Sequence, residues 1–153
     1  YGSASDAFHL TAPRSDGSGL EAAIRRALSE AGIPPSAIGF VNAHGTGTRE
    51  NDKVEGAVLA RMFGPRVKVL STKGLTGHTL GAAGALEAVF TAVGLRVGWI
   101  PASAGFKNKD DEIPLVPVME KTSISATHAL STSLAFGGAN SALVIGKKAP
   151  GKI

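Results

Sequence analysis

Two histidines, each surrounded by glycine and threonine, are the side chains of this sequence best suited to chemistry. His44 lies in the segment 42–48, Asn-Ala-His-Gly-Thr-Gly-Thr, and His78 lies in the segment 73–81, Lys-Gly-Leu-Thr-Gly-His-Thr-Leu-Gly. Small residues let the backbone and a bound molecule approach an imidazole closely, and threonine hydroxyls add hydrogen bonds without bulk. A lone histidine is more often structural, but a matched pair favours hydrogen bonding to a substrate or proton transfer.

A carboxylate within an apolar segment is a further candidate. Glu87 lies in the middle of residues 80–97, which are otherwise almost all apolar, and we expect them to form a helix buried on most of its sides. A buried carboxylate is costly unless a cation or hydrogen-bond donors satisfy it, and Lys73 on the preceding loop is the candidate cation. The alternative is that Glu87 occupies a narrow hydrated face of the helix.

Hydrophobic patterning places each histidine after a strand. Residues 38–43 predict a strand that ends at His44, and residues 67–70 predict a second strand before the loop that carries His78. Strands alternate with helices, so this is a βαβ series in which parallel strands end at one sheet edge. Both histidines are therefore expected at that edge, although 34 positions (78 minus 44) separate them.

The position of His78 favours an uncharged ring. It precedes the amino end of the helix predicted over residues 80–97, where the positive end of the helix dipole disfavours an imidazolium. A neutral ring can still donate a hydrogen bond from one nitrogen. Such a ring suits stabilisation of an oxyanion.

The remaining patterns complete a single α/β domain. We predict a mixed, mainly parallel five-stranded sheet with helices on its faces, and an antiparallel edge near the end of the chain. The domain is expected to occupy residues 1–149, followed by a tail at residues 150–153. Besides the elements already given, helices are predicted over 18–31 and 51–63, and strands over 115–119, 128–136 and 139–147.

Composition narrows the chemistry. The chain has 153 residues, of which 43% are hydrophobic and 18% charged, enough for one packed core. It contains no cysteine, so no disulfide, thiolate metal site or cysteine nucleophile can form within these residues. This is compatible with a reducing compartment, and we expect the cytoplasm. No membrane span is expected, because Glu87 and Arg96 interrupt the longest apolar stretch.

Several other functions are disfavoured. The net charge of +4 favours an acidic partner, but scattered basic residues with one Trp and one Tyr argue against nucleic acid. No His-x-x-x-His pair or cysteine pair is present for zinc. The segment 81–84 lacks the glycine order of a dinucleotide site, and no P-loop occurs. His9 and His128 have no comparable setting and are predicted to be structural.

Ordered motifs along the chain carry a family resemblance. They are the segments 5–13, 42–48, 71–73 and 136–140, residues 77–78 with 81–84, and Glu87. Together they closely resemble the carboxyl-terminal half of a β-ketoacyl-acyl-carrier-protein synthase of the KAS I/II group, in the thiolase-like superfamily. The likeness spans almost the whole chain, and several motifs at family spacing are far more specific than one glycine pattern.

The resemblance implies a thiolase-type fold built from two similar βαβαβαββ halves, of which this chain would be the second. In the family, a cysteine of the first half accepts an acyl group from the carrier protein as a thioester. Malonyl-carrier protein then loses carbon dioxide, and the enolate attacks that thioester to give a 3-oxoacyl chain two carbons longer. The isolated chain is expected to be inactive, because the cysteine of the Cys-His-His centre lies in the other half. It is also expected to self-associate, because the two halves share a layer of helices.

Residue roles follow from the resemblance motif by motif. His44 and His78 would hydrogen-bond the malonyl thioester carbonyl and stabilise the enolate, and Lys73 and Glu87 match the family's supporting pair. The backbone N–H of Phe136 matches one donor of the oxyanion hole, whose other donor comes from the cysteine.

The resemblance also implies binding partners. Thr46 and Thr48 match residues that hydrogen-bond the pantetheine arm, so the substrate arm is the 4′-phosphopantetheine of an acyl carrier protein, and no other organic cofactor is implied. The remaining partners would be the N-terminal half of the same synthase and a second copy of the whole enzyme.

A structural monovalent cation is implied only in part. The residues that align with such a site in some members are Asn42, Glu87, Ser131 and Thr132. Many members have Asn where this chain has Thr132, which removes an amide oxygen. The same segment has Leu134 and Ala135 where many members have Phe and Gly in the gate over the acyl pocket.

Three alternatives remain open at this point. The chain could come from a non-catalytic partner of a synthase, as chain-length factors are, although both histidine motifs are retained. It could come from a polyketide ketosynthase. A third hypothesis is carrier-protein binding alone, through Arg61, Arg66 and Lys68.

Overall fold

The computed structural model describes residues 1–147, so the tail expected at 150–153 lies outside the described residues. Four helices and seven strands occur in the described part. The helices are α1 Ser18–Ala31, α2 Arg49–Phe63, α3 Lys73–Thr76 and α4 Ala83–Val97. The strands are β1 Gly2–Ser5, β2 Ile38–Asn42, β3 Lys68–Leu70, β4 Trp99–Ile100, β5 Thr122–Ser123, β6 His128–Ala135 and β7 Ala139–Gly146.

Five strands form the main sheet in the order β1-β7-β6-β2-β3. β2 is parallel to both β6 and β3, while β7 is antiparallel to β6 and to β1. Four of the five strands therefore run in one direction, which confirms the mixed, mainly parallel sheet. Counting α3 and α4 as one helical connection, the order of elements along the main sheet is βαβαβαββ.

Strand register brings the chemically interesting loops together. Asn42, the last residue of β2, is paired with Leu70 at the end of β3 and with Ser131 of β6. The Ala43 N–H continues the ladder by donating to the Leu70 carbonyl at 2.8 Å. The loops after β2 and β3 consequently leave the same edge of the sheet, as the βαβ pattern predicts.

Alternating side chains of the sheet supply two apolar cores. Val41 of β2 packs in the larger core with α1 and α2, whereas its neighbour Phe40 packs in the smaller core with Leu95 of α4. Successive side chains of a strand point to opposite faces, so β2 is buried on both. Because β2 is packed on both faces, the position of its end and the direction in which the following loop leaves the sheet are fixed.

The helix that carries Glu87 differs from the expectation. A 3-10 turn at Leu80–Ala82 precedes it, so α4 begins at Ala83. Only one side packs on the sheet, and burial on most sides is wrong for the described chain. An apolar stripe on α4 is 37–58% exposed, and it consists of Leu86, Val89, Phe90, Val93 and Val97. By length and composition alone, Leu80–Val97 would also be apolar enough to cross a bilayer.

The strand predicted over residues 115–119 is wrong. This segment has no strand, because Pro114 and Pro117 lack N–H donors. Within residues 1–147, its backbone bonds to other segments are confined to Val118, whose N–H donates to the Val69 carbonyl and whose carbonyl accepts from the Ser103 N–H. β1, which the sequence reading did not assign, supplies the fifth strand instead. Residues 101–121 form a long irregular segment beside the loop that follows β3.

That segment approaches the β3 loop at Gly74. A Cβ atom at Gly74 would lie 2.0 Å from the Ala104 carbonyl oxygen, whereas a Cβ at Gly81 would meet no atom of residues 1–147 within 4 Å. We expect Gly74→Ala to lower the free energy of unfolding by about 1–3 kcal/mol, because the backbone of residue 104 has to move. Urea unfolding followed by circular dichroism measures this. Gly81→Ala is the matched control, and equal stability of the two variants would contradict the packing described.

Candidate active site

His44 is held at the end of β2 by a buried carboxylate. The ring is 6% exposed. The backbone N–H of His44 donates to Glu55 Oε1 and that of Gly45 donates to Glu55 Oε2, both at 2.9 Å. Gly45 has a φ of 45°, in the left-handed region that glycine adopts without strain. The loop therefore turns sharply while its histidine stays fixed.

Lys73 connects His44 to Glu87. Its Nζ lies 3.2 Å from His44 Nδ1 and forms an ion pair with Glu87 Oε1, and both side chains of that pair are buried. The predicted partnership of Lys73 and Glu87 is confirmed, and the hydrated-face alternative for Glu87 is wrong. An ammonium can only donate, so His44 Nδ1 accepts and the ring proton resides on Nε2.

Electrostatics keep the His44 ring neutral. Burial, the Lys73 charge and His78 together lower the pKa of His44 from 6.5 to about 3. Burial raises the pKa of Glu87, while the hydrogen bond and charge of Lys73 act in the opposite direction. Because an unpaired buried ammonium is costly, Lys73 and Glu87 stabilise each other in their charged forms.

His78 faces His44 from the loop after α3. The ring centroids are 5.4 Å apart and the planes meet at 84°. The Leu80 N–H donates to His78 Nδ1 at 3.1 Å, so this ring also carries its proton on Nε2. The helix-dipole argument for His78 is wrong in its geometry, because α4 starts five residues later and the dipole acts only within the first turn. A backbone N–H fixes the tautomer instead.

The two histidines share a cavity. A cavity of about 990 Å³ is lined by both rings, by Phe136 and by Thr46 and Thr48. A second one of about 840 Å³ is lined by the same two threonines, His78 and Lys73. The threonine hydroxyls lie 2.9 Å apart. The sequence-predicted residues that meet around these cavities are thus the two histidines, Lys73, the two threonines and Phe136.

Phe136 lies in a turn between β6 and β7. Its side chain is 79% exposed, and Gly137 and Gly138 follow with φ values of 80° and 75°. The predicted β6 strand therefore ends one residue early, at Ala135. The turn is tied to the opening loop, because the Gly137 N–H donates to the Leu10 carbonyl at 2.7 Å.

The predicted cation ligands also cluster. Asn42 pairs with Ser131 across the sheet, and its Nδ2 donates to the Glu87 carbonyl at 3.2 Å. Asn42 Oδ1 and Glu87 Oε2 are buried and have no hydrogen-bond partner at normal geometry within residues 1–147, although the nearby Ser133 hydroxyl acts to lower the pKa of Glu87. Two such oxygens are suitable ligands for a hard cation. Thr132 directs its hydroxyl to Glu55 Oε1 at 2.7 Å instead.

Sequence reasoning missed Glu55. The signal was available, because Glu55 stands next to the apolar positions Val54 and Val58 of α2, as Glu87 stands among those of α4. Among the predicted docking cations, Arg61 is paired with Glu21, and Lys68 donates to the Ser123 carbonyl. Within residues 1–147, no group of three or more His, Asp or Glu side chains is placed to hold a metal.

The neutral state of His44 can be tested directly. In ¹⁵N-histidine NMR of the protein, we expect the His44 ring to show the Nε2–H tautomer without titration from pH 8 to pH 5. Lys73→Met removes a charge that lowers the His44 pKa, so that pKa should rise. A His44 ring that titrates near pH 6.5 in the unsubstituted protein would contradict the geometry.

Comparison with known proteins agrees with this architecture. The family described as "Beta-ketoacyl synthase, C-terminal domain" matches residues 1–107. The 3-oxoacyl-[acyl-carrier-protein] synthase II, chloroplastic, of Arabidopsis thaliana is 43% identical over 91% of this chain. The match covers 26% of that relative, so the chain spans about a quarter of its length.

Solved structures give the same result. A beta-ketoacyl synthase from Burkholderia phymatum STM815 superposes with a TM-score of 0.92 at 37% identity, covering 97% of this chain and 36% of that one. A ketosynthase in complex with its chain length factor from Xenorhabdus doucetiae superposes with a TM-score of 0.88 at 42% identity, covering 96% and 38%. With its thiolase-like sheet and these matches, the chain belongs to the beta-ketoacyl synthase C-terminal domain family.

Proposed function

We propose that this chain is the C-terminal part of a 3-oxoacyl-[acyl-carrier-protein] synthase and supplies the two histidines of a Cys-His-His centre. The reaction is decarboxylative condensation of an acyl thioester with malonyl-carrier protein. The observation that carries the proposal is the pair of rings at one cavity, each with Nδ1 occupied as an acceptor and Nε2–H left as a donor.

The two donors suit an enolate. When malonyl thioester loses carbon dioxide, the electron pair of the broken bond moves onto the α-carbon and the thioester oxygen. Two Nε2–H groups aimed at that oxygen stabilise the developing charge without having to move. A neutral ring donates without giving up its proton, so the low pKa of His44 suits this role.

Lys73 and Glu87 act behind the rings. Lys73 occupies Nδ1 of His44 and thereby keeps the proton on Nε2, while Glu87 offsets the ammonium charge. The enolate carbon then attacks the acyl thioester on the cysteine of the other half. The resulting oxyanion collapses with cleavage of the C–S bond, which releases the cysteine thiolate and leaves the 3-oxoacyl chain on the carrier protein. We propose the Phe136 backbone N–H as one donor to the oxyanion formed in that attack.

The pantetheine arm is proposed to pass Thr46 and Thr48. These side chains line both cavities, so an extended arm that reaches the histidines has to run beside them. The carrier protein is the proposed partner, which agrees with the net charge of +4. A monovalent cation between Asn42 Oδ1 and Glu87 Oε2 is proposed as a structural element, since it would satisfy both buried oxygens.

A non-catalytic partner subunit is the second candidate. It is favoured by two similar solved structures whose names include a chain length factor together with a ketosynthase. The two rings at one cavity, each with Nδ1 engaged as an acceptor, favour the catalytic function, because a purely structural partner has no need for two free Nε2–H donors. The cytoplasm remains our proposed location, although the name of the Arabidopsis relative places that protein in the chloroplast.

The catalytic proposal predicts a specific loss. In the longer protein, His44→Ala or His78→Ala should each lower the rate of malonyl-thioester decarboxylation by about 10²–10³-fold, since an oxyanion donor is removed. His128→Ala is the control, because His128 lies at the start of β6, away from the edge where the rings meet. Full decarboxylation by either histidine variant would favour the structural-partner function instead. Turnover by the isolated chain would contradict its expected dependence on the other half.

The exposed stripe of α4 predicts association. We propose that the N-terminal half of the synthase covers it, so the chain expressed alone should self-associate through this face. Sedimentation velocity measures the effect. Val89→Lys with Phe90→Lys should shift the isolated chain toward monomer, whereas Val116→Lys, at a similarly exposed apolar position outside α4, should not. A monomeric unsubstituted chain would contradict this proposal.

A further inference from the structure

Glu55 forms a fully satisfied hydrogen-bond node beneath His44. The side chain is 3% exposed and lies on α2, one layer below the loop that follows β2. Each carboxylate oxygen accepts one backbone N–H, Oε1 from His44 and Oε2 from Gly45. A carboxylate that grips two successive amides fixes both the path of the backbone and the direction in which the histidine leaves it.

Two side-chain donors complete the node. The Thr132 hydroxyl donates to Oε1 at 2.7 Å, and Asn51 Nδ2 donates to Oε2 at 3.3 Å. No ion pair involves Glu55 within residues 1–147, so hydrogen bonds alone hold its charge in the interior. Burial raises the pKa of Glu55, and all four donors act in the opposite direction. Loss of one donor therefore leaves the Glu55 carboxylate less firmly held in the position from which it accepts the two loop amides.

Of the two side-chain donors, Thr132 is the one that comes from a different element than Glu55, namely the strand β6. It is completely buried on β6, directly after Ser131, which pairs with Asn42 of β2. Its hydroxyl is thus the link between the β6 strand, which leads to Phe136, and the loop that carries His44. Asn51, by comparison, donates from α2 itself and makes a longer bond.

We propose that Thr132 is a positioning residue for His44, acting through Glu55. The Thr132 hydroxyl fixes the carboxylate, and the carboxylate fixes the His44 and Gly45 amides. Lys73 contacts the His44 ring at Nδ1, and Glu55 holds the His44 backbone N–H. These two contacts together set the position of Nε2. The inference rests on the proposed function, because it concerns the ring proposed to donate to the thioester oxygen.

The test compares two substitutions in the longer protein. Thr132→Val keeps the shape and removes the hydroxyl, whereas Thr132→Ser keeps the hydroxyl and removes a methyl group. We expect Thr132→Val to lower kcat for malonyl-thioester decarboxylation by about 10-fold with KM within about two-fold. Thr132→Ser should recover most of kcat. Thr122→Val removes a hydroxyl that donates to the Glu120 carbonyl beside β5, and it should leave kcat unchanged.

A second measurement does not depend on turnover. Hydrogen–deuterium exchange of the His44 and Gly45 amides should be about 10-fold faster in Thr132→Val and unchanged in Thr132→Ser. Asn51→Ala, which removes the other side-chain donor from a more accessible position, should also speed exchange and covers the case in which Thr132→Val does not fold. Unchanged exchange in Thr132→Val or Asn51→Ala, or a serine variant no better than the valine variant, would overturn the inference. Faster exchange in a protein that never decarboxylates would instead contradict the proposed function and leave the positioning role standing.

Discussion

A buried ammonium, Lys73 Nζ, is the constraint around which this structure is organised. It needs a counter-charge, so α4, a mainly apolar helix, has to present Glu87 to it. It also needs a neutral acceptor, which His44 Nδ1 provides at 3.2 Å. Satisfying one charge thus fixes the loop after β3, the helix after it and the ring at the end of β2.

A second carboxylate performs the matching task on the backbone. Glu87 satisfies the cation behind the His44 ring, and Glu55 grips the amides of His44 and Gly45. Glu55 comes from α2 and Glu87 from α4, and these helices pack on opposite faces of the sheet. The site is therefore held from both apolar cores. His78, by contrast, is exposed, and the Leu80 N–H that donates to its Nδ1 orients the ring.

Sequence patterning predicted the fold well because the motifs fall on elements with strong hydrophobic periodicity. The ends of β2 and β3, and hence the convergence of His44 and His78, followed from βαβ order alone. The prediction of a strand at 115–119 was wrong because an apolar run does not show whether the backbone can form a ladder. Pro114 and Pro117 have no N–H to donate to one. The exposed stripe of α4 also could not be predicted from the sequence. An apolar helix predicts burial, but it does not show whether this chain or another part of the protein covers it. Glu55 was missed because α2 carries several charged residues, so one carboxylate beside Val54 does not stand out in the sequence as Glu87 does in α4.

The most direct test of the central claim is a crystal structure of the longer protein with a non-hydrolysable malonyl-pantetheine analogue bound. The account predicts one thioester carbonyl oxygen within hydrogen-bond distance, about 3 Å, of both His44 Nε2 and His78 Nε2. It further predicts that the analogue's arm lies beside Thr46 and Thr48. A carbonyl oxygen held by other groups, with the two Nε2 atoms pointing to separate partners, would contradict it.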